Sequence, residues 1–111
     1  MTGLTVGMPA YNEADNIGPM VDMVRDRVGP LVDDLEIIVV DDGSSDGTGE
    51  VVRRMAEEDA RVRLIQHPVN QGYGAAVRDA LWAATKELVF MTDSDRQFDI
   101  GEIARFLPRI A

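Results

Sequence analysis

Short β-rich apolar runs alternate along the chain with stretches whose apolar residues recur at helical spacing. Leu4 to Met8 predicts a first strand ending at Pro9. Ile17, Met20, Val21, Val24 and Val28 then repeat every three or four positions, as one face of a helix does. Pro19 is expected in the first turn of that helix, where its missing N–H costs nothing, and Gly29-Pro30 stops it. Leu35 to Val40 reads as a continuous apolar run, the signature of a central parallel strand buried on both faces.

Asp41 to Thr48 is a loop by composition, followed by a helix with Val51, Val52 and Met55 on its buried side. Val62 and Leu64 alternate with arginines, which suits a strand near the sheet edge. A third helix presents Val77, Ala80, Leu81 and Ala84, and Leu88 to Thr92 supplies another buried strand. A last helix carries Ile103, Phe106, Leu107 and Ile110 on one face and is kinked or ended at Pro108. The order βαβαβαβα predicts an α/β fold of three layers, with a mainly parallel sheet between helices. Ligands of such sheets bind beyond the carboxyl ends of the strands. Tyr11, Asn12 and Glu13 fall at the first of those ends, Asp41 and Asp42 at the second, and Asp93 and Asp95 at the fourth, so three loops should line one crevice.

Composition narrows the picture. At 111 residues, with no internal repeat or low-complexity linker, the chain reads as one domain over 1–111. Its apolar and charged fractions, 45% and 28%, belong to a folded protein. No apolar run is long enough to cross a bilayer and nothing near Met1 resembles an export signal, which points to the cytoplasm. Without cysteine there is no disulfide framework, thiolate zinc site or cysteine nucleophile. Twenty acidic against eleven basic residues give a net charge of −9, the wrong sign for gripping nucleic acid. The same charge repels any phosphorylated ligand unless a cation sits between them.

Asp93-Ser94-Asp95 follows a strand, so both carboxylates share a face, and Gln97 shares their parity. Such oxygen ligands suit Mg2+ or Mn2+; the plainer reading is a solvated acidic turn with Asp99 capping the next helix. Asp41-Asp42-Gly43-Ser44-Ser45-Asp46-Gly47-Thr48 matches half of a calcium loop, but Arg53 stands where that loop needs a bidentate glutamate. As a helix start it is well made, with Ser45 or Asp46 capping and glycines supplying positive φ, yet that leaves two adjacent carboxylates unexplained. Asn70-Gln71-Gly72-Tyr73-Gly74-Ala75-Ala76 opens the third helix with small residues, for tight packing or for ligand contact. It lacks the third glycine of a dinucleotide fingerprint and the lysine of a phosphate loop. His67 before Pro68 reads as a surface-loop histidine without chemistry, Glu57, Glu58 and Asp59 as a solvated helix end, and Trp82 as a packing residue.

Together, Pro9-Ala10-Tyr11-Asn12-Glu13, the Val40-to-Thr48 segment, Asn70 to Ala76 and Asp93-Ser94-Asp95 resemble family 2 glycosyltransferases of the GT-A fold, over essentially the whole chain. Asp93-Ser94-Asp95-Arg96-Gln97 further resembles the polyprenyl-phosphate sugar transferases, the dolichol-phosphate mannose synthase group. The resemblance implies a GDP- or UDP-sugar donor touched by Pro9, Tyr11, Glu13, Asp41, Asp42 and Asp93, with Asp42 at the base. It implies Mg2+ or Mn2+ on Asp93, Asp95 and Gln97, and an acceptor that can be a lipid phosphate at the cytoplasmic membrane face. The acceptor-side base of that family follows the Asp-x-Asp strand, so the chain is expected to be the donor half alone, inactive in transfer. Its last apolar stripe is then a surface for further chain or for self-association. A non-catalytic nucleotide-binding module of the same fold stays open. A receiver-type signalling domain fits less well, because its aspartate pair follows the first strand and here the pair follows the second.

Overall fold

Among the described residues, four strands, β1 (Gly3–Ala10), β2 (Asp34–Asp42), β3 (Val62–His67) and β4 (Leu88–Met91), form one parallel sheet in the order β3-β2-β1-β4. The computed structural model describes residues 3–92, so Asp93, Asp95, Gln97 and the expected last helix lie outside the described residues. Three helices connect the strands: α1 (Ala14–Arg27), α2 (Thr48–Glu58) and α3 (Tyr73–Ala83). β2 and β3 step outward on one side of β1, and β4 pairs with its other edge. This reversal divides the helices between the two faces of the sheet.

Side-chain alternation builds two cores. Leu4, Val6, Met8, Leu35, Ile37 and Val39 face α1 and α2, where they pack on the buried Ile17, Met20, Val21, Val24, Val28 and Val52. Each such side chain contributes roughly 1.5–3 kcal/mol by leaving water. The opposite face is thinner: Ile38 and Val40 meet Ala76 and Ala80 of α3. Small residues let α3 approach closely; a Cβ on Gly7 would sit 2.6 Å from Met91 Sδ and 3.2 Å from Ala80 Cβ.

The expected α1 stripe is buried throughout, while four other readings are corrected. Glu13 accepts the first helical bonds from Asn16 and Ile17, so α1 starts at Ala14 and Pro19 falls in its second turn. Pro19 and Asp15 are both exposed, which leaves the freed carbonyl on the water side. The β2 run is interrupted by Glu36, which is buried yet fully engaged. It accepts from Thr5 Oγ1 at 2.8 Å, Arg63 Nη1 at 2.9 Å, and Thr85 N and Oγ1 at 2.9 and 3.0 Å. On α3 the buried stripe is Ala76 and Ala80, leaving Leu81 half exposed and Trp82 84% exposed. β4 is only partly buried, because among the described residues it has β1 as its single neighbour.

Candidate functional site

The carboxyl ends of β1 and β2 and the start of α3 meet at one place, and three loops there hold one another. Asn12, with φ of +53°, faces the loop after β2. Its amide donates to Ser44 Oγ at 2.8 Å and its Oδ1 accepts from Ser45 N at 2.9 Å. Glu13 N donates to Thr48 Oγ1 at 2.9 Å, and Ala14 N to Asp46 Oδ2 at 3.1 Å. Asp46 Oδ1 also takes the Thr48 amide at the head of α2, but the N-cap is the left-handed Gly47, one residue beyond the cap expected at Ser45 or Asp46 and without a side-chain bond. The polar run after β2 thus takes the Glu13, Ala14 and Thr48 amides at the starts of α1 and α2 together.

The two adjacent aspartates do not confront each other. Successive strand residues point to opposite faces, and Asp41 turns toward α2 while Asp42 turns toward α3. Asp41 accepts from Ser44 N at 3.1 Å and Gln66 Nε2 at 3.4 Å, beside Gly49. Asp42 accepts from His67 Nδ1 and Gln71 N, both at 2.8 Å, and from Gly72 N at 3.0 Å. Burial pushes its carboxyl up, but the bonds from His67, Gln71 and Gly72 outweigh this and hold it below the ordinary range.

His67 corrects the sequence reading most sharply: it is buried, not a surface-loop residue. Register pairs it with Asp42 at the ends of β3 and β2, and its Nε2 lies 2.6 Å from Asp79 Oδ2 on α3. The hydrogen bond to Asp42 raises its pKa, burial lowers it and Asp79 raises it again; the net shift is upward. The available signals were parity and spacing. His67 shares the strand face of Ile65, and Asp79 lies three residues beyond the buried Ala76.

Above this cluster opens a cleft of about 160 Å³. Pro9, Ala10, Tyr11 and Asp42 line one side, and Asn70, Gly72, Tyr73 and Ala76 the other. Pockets that enclose whole ligands run to roughly 300–1,000 Å³, so this one accommodates a single ring system of a larger molecule. Of the anticipated residues, Pro9, Tyr11 and Asp42 come together in the cleft, joined by the loop that opens α3. Glu13 and Asp41 stand outside its lining, engaged in the loop network. Among the described residues no group of three or more acidic, histidine or cysteine side chains is arranged to hold a metal ion, and Asp93, Asp95 and Gln97 lie beyond them.

The family model for glycosyl transferase family 2 matches residues 5–111. The chain belongs to that family. Among curated relatives it is 38% identical to a dolichyl-phosphate beta-glucosyltransferase, ALG5C, of Trichomonas vaginalis, over 96% of this chain and 33% of the relative. Among solved structures it is similar to the mannosyltransferase PcManGT from Pyrobaculum calidifontis in complex with GDP-Man and Mn2+. There the TM-score is 0.81 at 35% identity, over 97% of this chain and 32% of that one. It is also similar to S. aureus TarS 1-349 in complex with UDP-GlcNAc, with a TM-score of 0.76 at 26% identity, over 96% and 31% of the two chains. This family 2 chain therefore spans about a third of the length of the relatives it matches, and its parallel three-layer architecture is the part of the GT-A fold that they share. No helix among the described residues is long and apolar enough to cross a membrane.

Proposed function

We propose that the chain supplies the nucleotide-sugar-binding part of a glycosyltransferase, with the base of a GDP- or UDP-sugar in the cleft between Tyr11, Asp42 and Tyr73. The observation that carries the reading is the Asp42 carboxylate, a fixed acceptor at the wall of a cleft sized for one ring system. Tyr11 and Tyr73, both exposed at the cleft, offer aromatic faces to such a ring. GDP-Man and UDP-GlcNAc in the two structural relatives support a nucleotide sugar as ligand.

Asp93, Asp95 and Gln97 would hold a divalent cation. Their donor set of carboxylate and amide oxygens is the chemistry Mg2+ and Mn2+ prefer, and PcManGT carries Mn2+. When bound, the cation supplies the positive charge that lets a diphosphate approach a chain of net charge −9. The dolichyl-phosphate name of the Trichomonas relative supports a lipid phosphate as acceptor, met at a membrane surface. The test is a calorimetric titration of GDP and UDP in Mn2+ and in EDTA. Saturable binding that needs the metal is expected, and equal affinity in EDTA would overturn the metal assignment.

A further inference from the structure

Asp42, His67 and Asp79 come from β2, β3 and α3, and they form a chain of contacts beneath the cleft in which Asp42 and His67 are buried and Asp79 is partly exposed. A carboxylate is an acceptor only, and a neutral imidazole has one N–H to give. Here both ring nitrogens face carboxylate oxygens, at 2.8 Å and 2.6 Å, so both contacts are satisfied only when both nitrogens donate. Without the second proton a lone pair would point at an anion, at a residue that is only 8% exposed. Among the described residues the charged groups bonded to the ring are Asp42 and Asp79, and on the outer side of Asp79 Arg78 Nε donates to Asp79 Oδ1 at 3.3 Å.

Asp42 has room for about four hydrogen bonds, and His67, Gln71 and Gly72 take three, leaving one acceptor direction for the cleft. We propose that His67, donating from both ring nitrogens and anchored by Asp79, is the positioning residue that fixes the Asp42 carboxylate for the nucleotide base. The inference rests on the cleft being the nucleotide site. Loss of the shared proton frees Asp42 or Asp79, restores an uncompensated negative charge beneath the ligand and loosens α3 from the ends of β2 and β3. Donor affinity therefore follows the protonation of a residue that does not touch the donor. The raised pKa of His67 accords with this but is not needed for it.

His67 is the only histidine, so its ring signals in NMR spectra report on it without ambiguity. The experiment titrates those signals on the full chain between about pH 6 and 8.5, and measures GDP and UDP affinity in Mn2+ over the same range. In the parent, affinity is expected to fall about tenfold as the ring loses its proton, with the two curves coincident. His67→Gln should bind about tenfold more weakly at the acid end and lose that step, leaving the nucleotide's own phosphate titration as baseline. Asp79→Asn, which keeps the Asp42 contact, should lower the ring's pKa and move the affinity step by the same amount. A merely structural role would not produce that matched shift. If His67→Gln does not fold, as judged by thermal melting, Asp79→Asn carries the test alone. An affinity step unmoved by Asp79→Asn, or equal binding by His67→Gln, overturns the inference while the nucleotide site stands. A parent chain that binds neither nucleotide removes the site itself, and the inference with it.

Discussion

A Cβ placed on Gly43 would lie 2.4 Å from the backbone nitrogen of Asn70, so the loops after β2 and β3 touch backbone to backbone at the rim of the cleft. Gly43 also has φ of +77°. Gly43→Ala therefore meets two penalties: about 1–2 kcal/mol for the left-handed backbone, and the displacement of Asn70 from the cleft wall. The expected loss is roughly 2–4 kcal/mol of stability in urea unfolding, with weaker nucleotide binding. A variant that unfolds at the parent's midpoint would show that the two loops separate freely.

Thr48 tests the coupling between the starts of α1 and α2. Its hydroxyl accepts from Glu13 N and donates to Asp46 Oδ1, and the residue is fully buried. Thr48→Val keeps the shape but strands the Glu13 amide, and should cost about 1–3 kcal/mol. Thr48→Ser should cost clearly less, since it keeps both bonds. If serine and valine destabilise equally in denaturant titrations, packing rather than the hydroxyl holds the loops together.

Stability should fall on both sides of neutrality, for different reasons. Burial pushes the Glu36 carboxyl up, but the Thr85 amide, Thr5, Arg63 and the Thr85 hydroxyl more than reverse this, so its folded pKa lies below 4.5. A depressed carboxylate contributes stability above its unfolded pKa and loses it as pH falls through the folded one. His67 is the opposite case: its folded pKa is above 6.5, so its contribution is complete below that value and lost as pH rises through the folded pKa. Melting temperatures should show Glu36→Gln flattening the acid limb and His67→Gln the alkaline one. Glu36→Gln should also cost about 1–3 kcal/mol at neutral pH, because a side-chain amide cannot accept all four donors. An acid limb unchanged in Glu36→Gln would assign acid unfolding to other carboxylates.

Periodicity made most of the scaffold legible. The α1 stripe is buried residue for residue because five apolar positions at helical spacing have only one face to share. The edge character of β3 followed from its alternating arginines. α3 misled, because its helix packs through alanines, and Leu81 and Trp82 outweigh alanine in any pattern weighted by hydrophobicity. Glu36 was passed over for a related reason: one acid among five apolar residues does not break the run, and its four donors come from β1, β3 and the segment after α3. In the cleft, Pro9, Tyr11 and Asp42 were legible from motifs, but the His67–Asp79 contact joins two elements whose relative position only the fold sets. The paired aspartates gained their explanation in the same way, from strand parity at the sheet end.

Base recognition and metal holding should be separable. Asp42 stands at the cleft, and Asp95 follows β4 in sequence outside the described residues, so the two belong to different segments of the chain. If Asp42 meets the base, Asp42→Ala should lower the affinity for GDP or UDP by about tenfold or more, through a lost charge-assisted hydrogen bond, and leave the requirement for Mn2+ intact. That substitution also strands the His67 ring and the Gln71 and Gly72 amides, so Asp42→Asn, which keeps an acceptor oxygen, is the cleaner probe. Asp95→Ala should do the reverse: residual affinity should equal that of the parent in EDTA, and adding Mn2+ should change nothing. The free nucleoside distinguishes the two sites further, since it carries the base without the diphosphate. Its weak binding should be sensitive to Asp42 and indifferent to both Asp95 and the metal. An Asp95→Ala chain that binds nucleotide and Mn2+ like the parent would remove the acidic residues after β4 from the metal site, and the charge of −9 would then need another counterion.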